Sequence, residues 1–153
     1  MHIRQELLDK VLVVYKPNYR YLRQADVEFP VARGRFLLGE TEYAESPSHL
    51  TDVEAQLCLN QLSYIFFANE IISGRWSDGR NLTLDDYLSL RKEKMFVVDS
   101  HKIFHRETNP AEPFNVAIKL AKIRRIRNAH LASLDFNIND GAGVGNLKLV
   151  IKR

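Results

Sequence analysis

The residues best equipped for chemistry lie between Tyr43 and Tyr64. Thr51-Asp52-Val53-Glu54 has the spacing of a capping box, in which the threonine hydroxyl accepts from the amide of residue 54 and the glutamate accepts from the amide of residue 51. A helix is therefore expected to begin at about Asp52. Its first free amides, near residues 52–55 and including Asp52 and Val53, are oriented donors at the positive end of the helix dipole. Such a place holds a carbonyl oxygen that gains negative charge. His49 lies just ahead, where its ring can reach whatever binds at that end; its plainer reading is a surface loop histidine. Further on, Asn60 and Tyr64 are polar groups in an apolar stretch, and each must find a partner or cost about 1–3 kcal/mol. Tyr43 in the preceding loop and Tyr15 near the start add two phenols that could converge on the same place.

Other chemistries find little support. Gly141, Gly143 and Gly145 resemble a phosphate loop, but no helical pattern follows and no Lys-Ser/Thr pair closes the run, so a hairpin turn is expected. There is no Gly-x-Ser-x-Gly elbow, His-Glu-x-x-His or Cys-x-x-Cys. Cys58, inside an apolar helix, reads as a packing residue, and His101 with His105 as a surface pair. No metal site is expected.

The elements that must position these residues follow from periodicity. Leu7, Leu8, Val11 and Leu12 share one helical face, giving a lead-in helix over about 4–14 that ends before Pro17. Residues 21–29 and 31–38 read as a strand pair meeting at Pro30. The central helix, about 52–72, is apolar on every face, since Leu59, Leu62, Ile65 and Phe66 accompany Val53, Leu57 and Phe67. Such a helix is buried, most easily by a sheet curling around it. Thr83-Leu84-Asp85-Asp86 caps a short helix running to about Leu90. Strand patterns follow at 96–98, 102–104, 116–127, 131–138 and 147–151, with helical spacing the alternative across 117–127.

The 153 residues, 45% hydrophobic and 27% charged, suit one domain, expected to be α+β and to span 1–153. One cysteine closes no intramolecular disulfide, the first residues lack a secretory pattern, and Asn60, Gln61, Asn69 and Glu70 interrupt the longest apolar stretch. A cytoplasmic protein without a membrane span is expected. Charge is uneven: residues 1–90 carry nine Lys/Arg against thirteen Asp/Glu, and residues 91–127 carry ten against four. The basic stretch could meet nucleic acid, an acidic protein or a phosphorylated small molecule.

Several of these residues together resemble a family. Glu6-Leu7-Leu8 with Val11-Leu12 and Tyr15, Leu38-Gly39-Glu40 leading to Tyr43, His49, Val53-Glu54 and the string Cys58-Leu59-Asn60-Gln61-Leu62-Ser63-Tyr64 resemble the FcoT-like hotdog acyl-thioester enzymes, and Leu84-Asp85-Asp86-Tyr87 continues the likeness. The resemblance implies a hotdog fold, an antiparallel sheet wrapped around a long central helix, assembled as a homo-oligomer, either a dimer or a trimer of dimers. It implies a substrate that carries its own coenzyme A or phosphopantetheine, with no further cofactor. Tyr15, Tyr43, Asn60 and Tyr64 match the family's pocket positions, and Thr51 stands where the family has an asparagine.

The first expectation is therefore hydrolysis of a fatty acyl thioester on coenzyme A or an acyl carrier protein. Tyr43, Thr51, Asn60 and Tyr64 would be the catalytic set, with Tyr15, His49, Asp52 and Val53 binding substrate. The second is lyase-type conjugate addition of glycine or water to an enoyl thioester, His49 or a tyrosine moving the proton. Arg124 and Arg125 are expected at the pocket mouth, meeting the phosphate of the pantetheine arm or an acidic carrier. A non-catalytic acyl- or nucleic-acid-binding module is the rival; the chain lacks the glycine-aromatic signature of an RNA-binding sheet, and no nucleic-acid partner is expected.

Overall fold

A helix apolar on every side has to be covered on every side, and the long α2, Asp52–Ile72, is the element around which the rest is arranged. The computed structural model describes residues 1–39, 48–76 and 82–152. In chain order these hold α1 (Gln5–Leu12), β1 (Leu22–Glu28), β2 (Val31–Phe36), α2, α3 (Leu84–Lys94), β3 (Met95–Phe104), β4 (Phe114–Ile126), β5 (Ala129–Ile138) and β6 (Gly143–Lys152). The six strands form one antiparallel sheet in the order β1-β2-β4-β5-β6-β3, so β1 and β3 are its edges. Leu59, Leu62, Ile65 and Phe66 of α2 are fully buried with Phe36, Ile118 and Leu134 of the sheet. This is an α+β hotdog fold. No helix among the described residues is long and apolar enough to cross a membrane.

Close approach of helix to sheet depends on Gly34 in β2, where a Cβ would stand 2.7 Å from Leu22 and Phe36 side-chain atoms and 3.1 Å from Leu62. One polar side chain, Gln61, crosses this interface productively. Its Oε1 accepts from the amides of Tyr21 (3.0 Å) and Leu22 (3.1 Å), and its Nε2 donates to the Tyr19 carbonyl at 2.7 Å. A buried amide so satisfied ties α2 to the entry of β1.

Several expectations are corrected. Thr51 is extended at the start of α2, but its hydroxyl makes no capping bond; Glu54 is buried instead of turning back. The second capping box does form, with Asp86 N–H donating to Thr83 Oγ1 (3.1 Å) and Thr83 N–H to Asp86 Oδ2 (3.0 Å), and α3 then runs on to Lys94, past Leu90. The two runs at 96–98 and 102–104 are one strand, β3. The glycine run divides: Asn139, Asp140 and Gly141 take positive φ and make the turn, while Gly143 and Gly145 already belong to β6, which starts before Leu147. Gly145 sits so close to β3 that a Cβ would lie 1.8 Å from the His101 carbonyl oxygen.

Candidate active site

Polar side chains connect the first half of α2 to edge strand β3. Lys102 Nζ pairs with Asp52 Oδ1 at 2.9 Å and donates to Ser100 Oγ at 2.8 Å. Ser100 Oγ donates to Gln56 Oε1 (2.8 Å), and Gln56 Nε2 donates to Asn60 Oδ1 (2.9 Å). A bulge in β3 makes this possible. Met95 and Val97 pair with the buried Ile151 and Leu149, but the register shifts between Val97 and Asp99, so that Ser100 falls opposite buried Leu147 and Lys102 opposite Gly145. The extra residue changes which parity faces the helix, bringing two polar side chains to a face that began apolar.

The relay ends at Asn60 and orients it. With Oδ1 accepting from Gln56, Nδ2 is directed elsewhere and has no acceptor among the described residues. Asn60 and Tyr64, one helical turn apart, open on a common cavity of about 340 Å³ walled by Ser63, Phe96 and Leu149. Tyr15 joins them through Tyr64, the ring centroids standing 6.3 Å apart and the hydroxyls interacting. Burial pushes the Tyr15 phenol well above its ordinary value, and Tyr64 raises it further; burial also pushes Tyr64 up, against the pull of the Arg91 cation. Both phenols therefore stay protonated at neutral pH and serve as donors. Below them Tyr87 donates to the Tyr64 carbonyl at 2.7 Å, while Arg91 donates to the carbonyls of Leu88 and Lys10, tying α3 to the end of α1.

At the start of α2, Thr51 is half-buried, and His49, Asp52 and Val53 are exposed, the His49 ring contacting Ser48 Oγ at 3.3 Å. Because Thr51 makes no cap, its hydroxyl is not spent on the first-turn amides. Tyr43 lies outside the described residues. Arg124 and Arg125 do not join this group: they line a separate cavity beside Phe66, Phe67 and Trp76 that shares no described lining residue with the Asn60 cavity. Among the described residues no cluster of His, Cys, Asp and Glu is arranged to hold a metal.

Two features escaped the sequence reading. Lys102 and Ser100 depend on the bulge, which no local pattern announces. Glu54 is 1% exposed, and neither carboxylate oxygen has a hydrogen-bond partner among the described residues; its spacing to Cys58, Gln61 and Ile65 follows the buried stripe of the helix, a signal that the capping pattern obscured. Burial, then the nearby Glu54, pushes the Cys58 thiol far up, which suits a packing residue rather than a nucleophile.

The chain is similar to a (2E)-enoyl-ACP glycyltransferase of Mycobacterium marinum, 35% identical over 115 residues, covering 72% of this chain and 62% of that protein. It is similar to one of the same name from Streptomyces coeruleorubidus, 30% identical over 110 residues, covering 69% and 67%. The chain thus spans about two thirds or somewhat less of these relatives' lengths. The fold matches the dehydratase domain of RzxB from Pseudomonas fluorescens (TM-score 0.60, 11% identity, 98% of this chain and 49% of that one). It also matches a thioesterase superfamily protein from Shewanella loihica PV-4 (TM-score 0.52, 6% identity, 92% and 97%). The model of the FcoT-like thioesterase domain matches residues 10–151, and the chain belongs to that family.

Proposed function

We propose that this domain adds the amino group of glycine to the β-carbon of an enoyl thioester carried on an acyl carrier protein. The observation that carries the reading is the donor character of the Asn60 cavity: Asn60, whose Oδ1 is already taken, and the protonated Tyr64 both line it, and none of its described lining residues is a carboxylate or a histidine. The likeness to enoyl-ACP glycyltransferases over about seven tenths of the chain supports glycine as the nucleophile.

The amine lone pair forms the C–N bond at the β-carbon, and the C=C pair moves toward the thioester carbonyl, whose oxygen becomes an enolate. Donors at that oxygen, Asn60 Nδ2 and the Tyr64 hydroxyl, stabilise the charge, while the first-turn amides at Asp52 and Val53, two or more helical turns away, are left to bind another part of the substrate. The proton lost by the amine returns to the α-carbon through the Tyr64 hydroxyl, which belongs to the same cavity, whereas His49, exposed ahead of the helix start, is left to meet the substrate's outer part. The C–S bond stays intact. Tyr15 holds Tyr64 in place, Thr51 offers its free hydroxyl at the helix start, and the substrate's own phosphopantetheine is the only cofactor the reaction needs. The working unit is a homo-oligomer joined along the β3 edge.

Hydrolysis is the second reading, favoured by the thioesterase description of the family. It breaks the C–S bond, and water needs a base to become a nucleophile, whereas glycine taken from solution in its minor neutral-amine form already carries a free lone pair. A thiol-release assay run beside loss of the enoyl absorbance separates the two. Addition consumes the enoyl group without releasing thiol; stoichiometric thiol release independent of glycine would overturn the proposal.

A further inference from the structure

The cavity that holds Arg125 lies where the last turns of α2 meet the outer half of β4, and has a volume of about 370 Å³. Its wall is aromatic and interlocked. Phe67 meets Trp76 edge-to-face at 5.0 Å between ring centroids, and Trp76 meets His130 in the same way at 5.4 Å. Rings packed in this order present a fixed apolar surface of the kind that takes a hydrocarbon or aromatic body.

Charge around the wall is uneven. Glu70, the one acidic residue among the described lining residues, is buried and taken up by Arg75, whose Nε and a terminal nitrogen reach its two oxygens at 3.0 and 3.3 Å. Arg124 and Arg125 have no acidic partner among the described residues, leaving two positive charges uncompensated beside an apolar wall. Register explains why Arg125, though exposed, borders the cavity. Phe114, Val116 and Ile118 of β4 are buried; a shift between Leu120 and Lys122 changes the parity, so that Ile123 falls opposite buried Ala132 and Arg125 opposite buried His130. Arg125 Nε donates to the Arg127 carbonyl at 3.4 Å, which steadies the side chain while its terminal nitrogens remain available. Arg124, the residue before it, also lines the cavity.

We propose that this cavity is a binding site for an apolar carboxylate, such as a medium-chain fatty acid. The chain lies against Phe67, Trp76 and Ile123, and the carboxylate pairs with Arg125, whose planar fork matches its geometry. An apolar body alone would leave the arginines unused, and a small anion would leave the aromatic wall wet. The site is separate from the Asn60 cavity, so the proposal stands whichever thioester reaction the domain performs.

Trp76 is the chain's one tryptophan, so its fluorescence reports on this cavity directly. Titration with decanoate is expected to change Trp76 emission saturably, confirmed by calorimetry, with decanol and acetate each binding at least about tenfold more weakly. Arg125→Glu, an exposed position, should weaken decanoate at least about tenfold with an unchanged circular dichroism spectrum, whereas Lys92→Glu, equal in charge change but on α3, should not. Absence of saturable binding, equal affinity for decanol, or full affinity in Arg125→Glu would overturn the proposal. So would a Trp76 signal that follows protein concentration rather than decanoate, which would make the cavity a contact between copies of the chain.

Discussion

Asn60 is held by one hydrogen bond and offers another, and that asymmetry is what gives it a role. A donor aimed at a developing oxyanion contributes chiefly in the transition state, so Asn60→Ala should lower turnover about 10²–10³-fold with little change in KM, measured by steady-state kinetics on the enoyl thioester. A raised KM with unchanged turnover would place Asn60 in ground-state binding instead. Glu54 carries the opposite imbalance, a buried carboxylate with no bond to either oxygen. Replacing it by glutamine removes a buried carboxyl that has no partner among the described residues, so Glu54→Gln should raise the melting temperature by about 2–4 °C for each kcal/mol relieved. A lowered melting temperature would reveal an unseen partner for the carboxylate. The buried phenols set a pH limit. Tyr15, Tyr64 and Tyr87 all have folded values above the ordinary 10.0, so above about pH 10 the unfolded chain sheds protons that the folded chain retains. Stability is therefore fully present below that pH and falls as pH climbs. Melting temperatures across this range should show a decline that Tyr15→Phe makes shallower.

Capping separates the two threonine-led helices. Thr83 makes its reciprocal bonds and Thr51 makes none, so Thr83→Ala should cost about 1 kcal/mol while Thr51→Ala leaves thermal stability nearly unchanged, both read from melting curves. Equal losses would mean that Thr51 caps after all. The same contrast shows how far the sequence was legible. Apolar residues on every face announced α2, and the four-residue step from Asn60 to Tyr64 placed both on one side of it. The Thr-x-x-Glu spacing could not reveal whether the glutamate turns back to the cap or inward with Cys58 and Gln61, because both conformers suit the same helix. Nor could alternation along β3 and β4 show where a bulge changes parity, which is why Ser100 and Lys102 went unnoticed. Arg124 and Arg125, expected at the pocket mouth, instead line a second cavity.

Among the described residues, edge strand β3 pairs only with β6, and it exposes Phe96, Val98, Ile103 and Phe104, with Phe96 also bordering the Asn60 cavity. A long apolar edge of this kind seeks another strand. The molecule is accordingly expected to be at least a dimer by light scattering, and Val98→Lys should shift it toward monomer; a wild-type monomer would contradict the β3 contact. The domain's reaction can be read from the carrier itself. Intact mass of an enoyl-loaded acyl carrier protein, before and after incubation with the enzyme and glycine, is the most direct test. A gain of one glycine with the thioester retained is the predicted result. Loss of the acyl group to leave the free phosphopantetheine carrier, at a rate indifferent to glycine, would contradict the account.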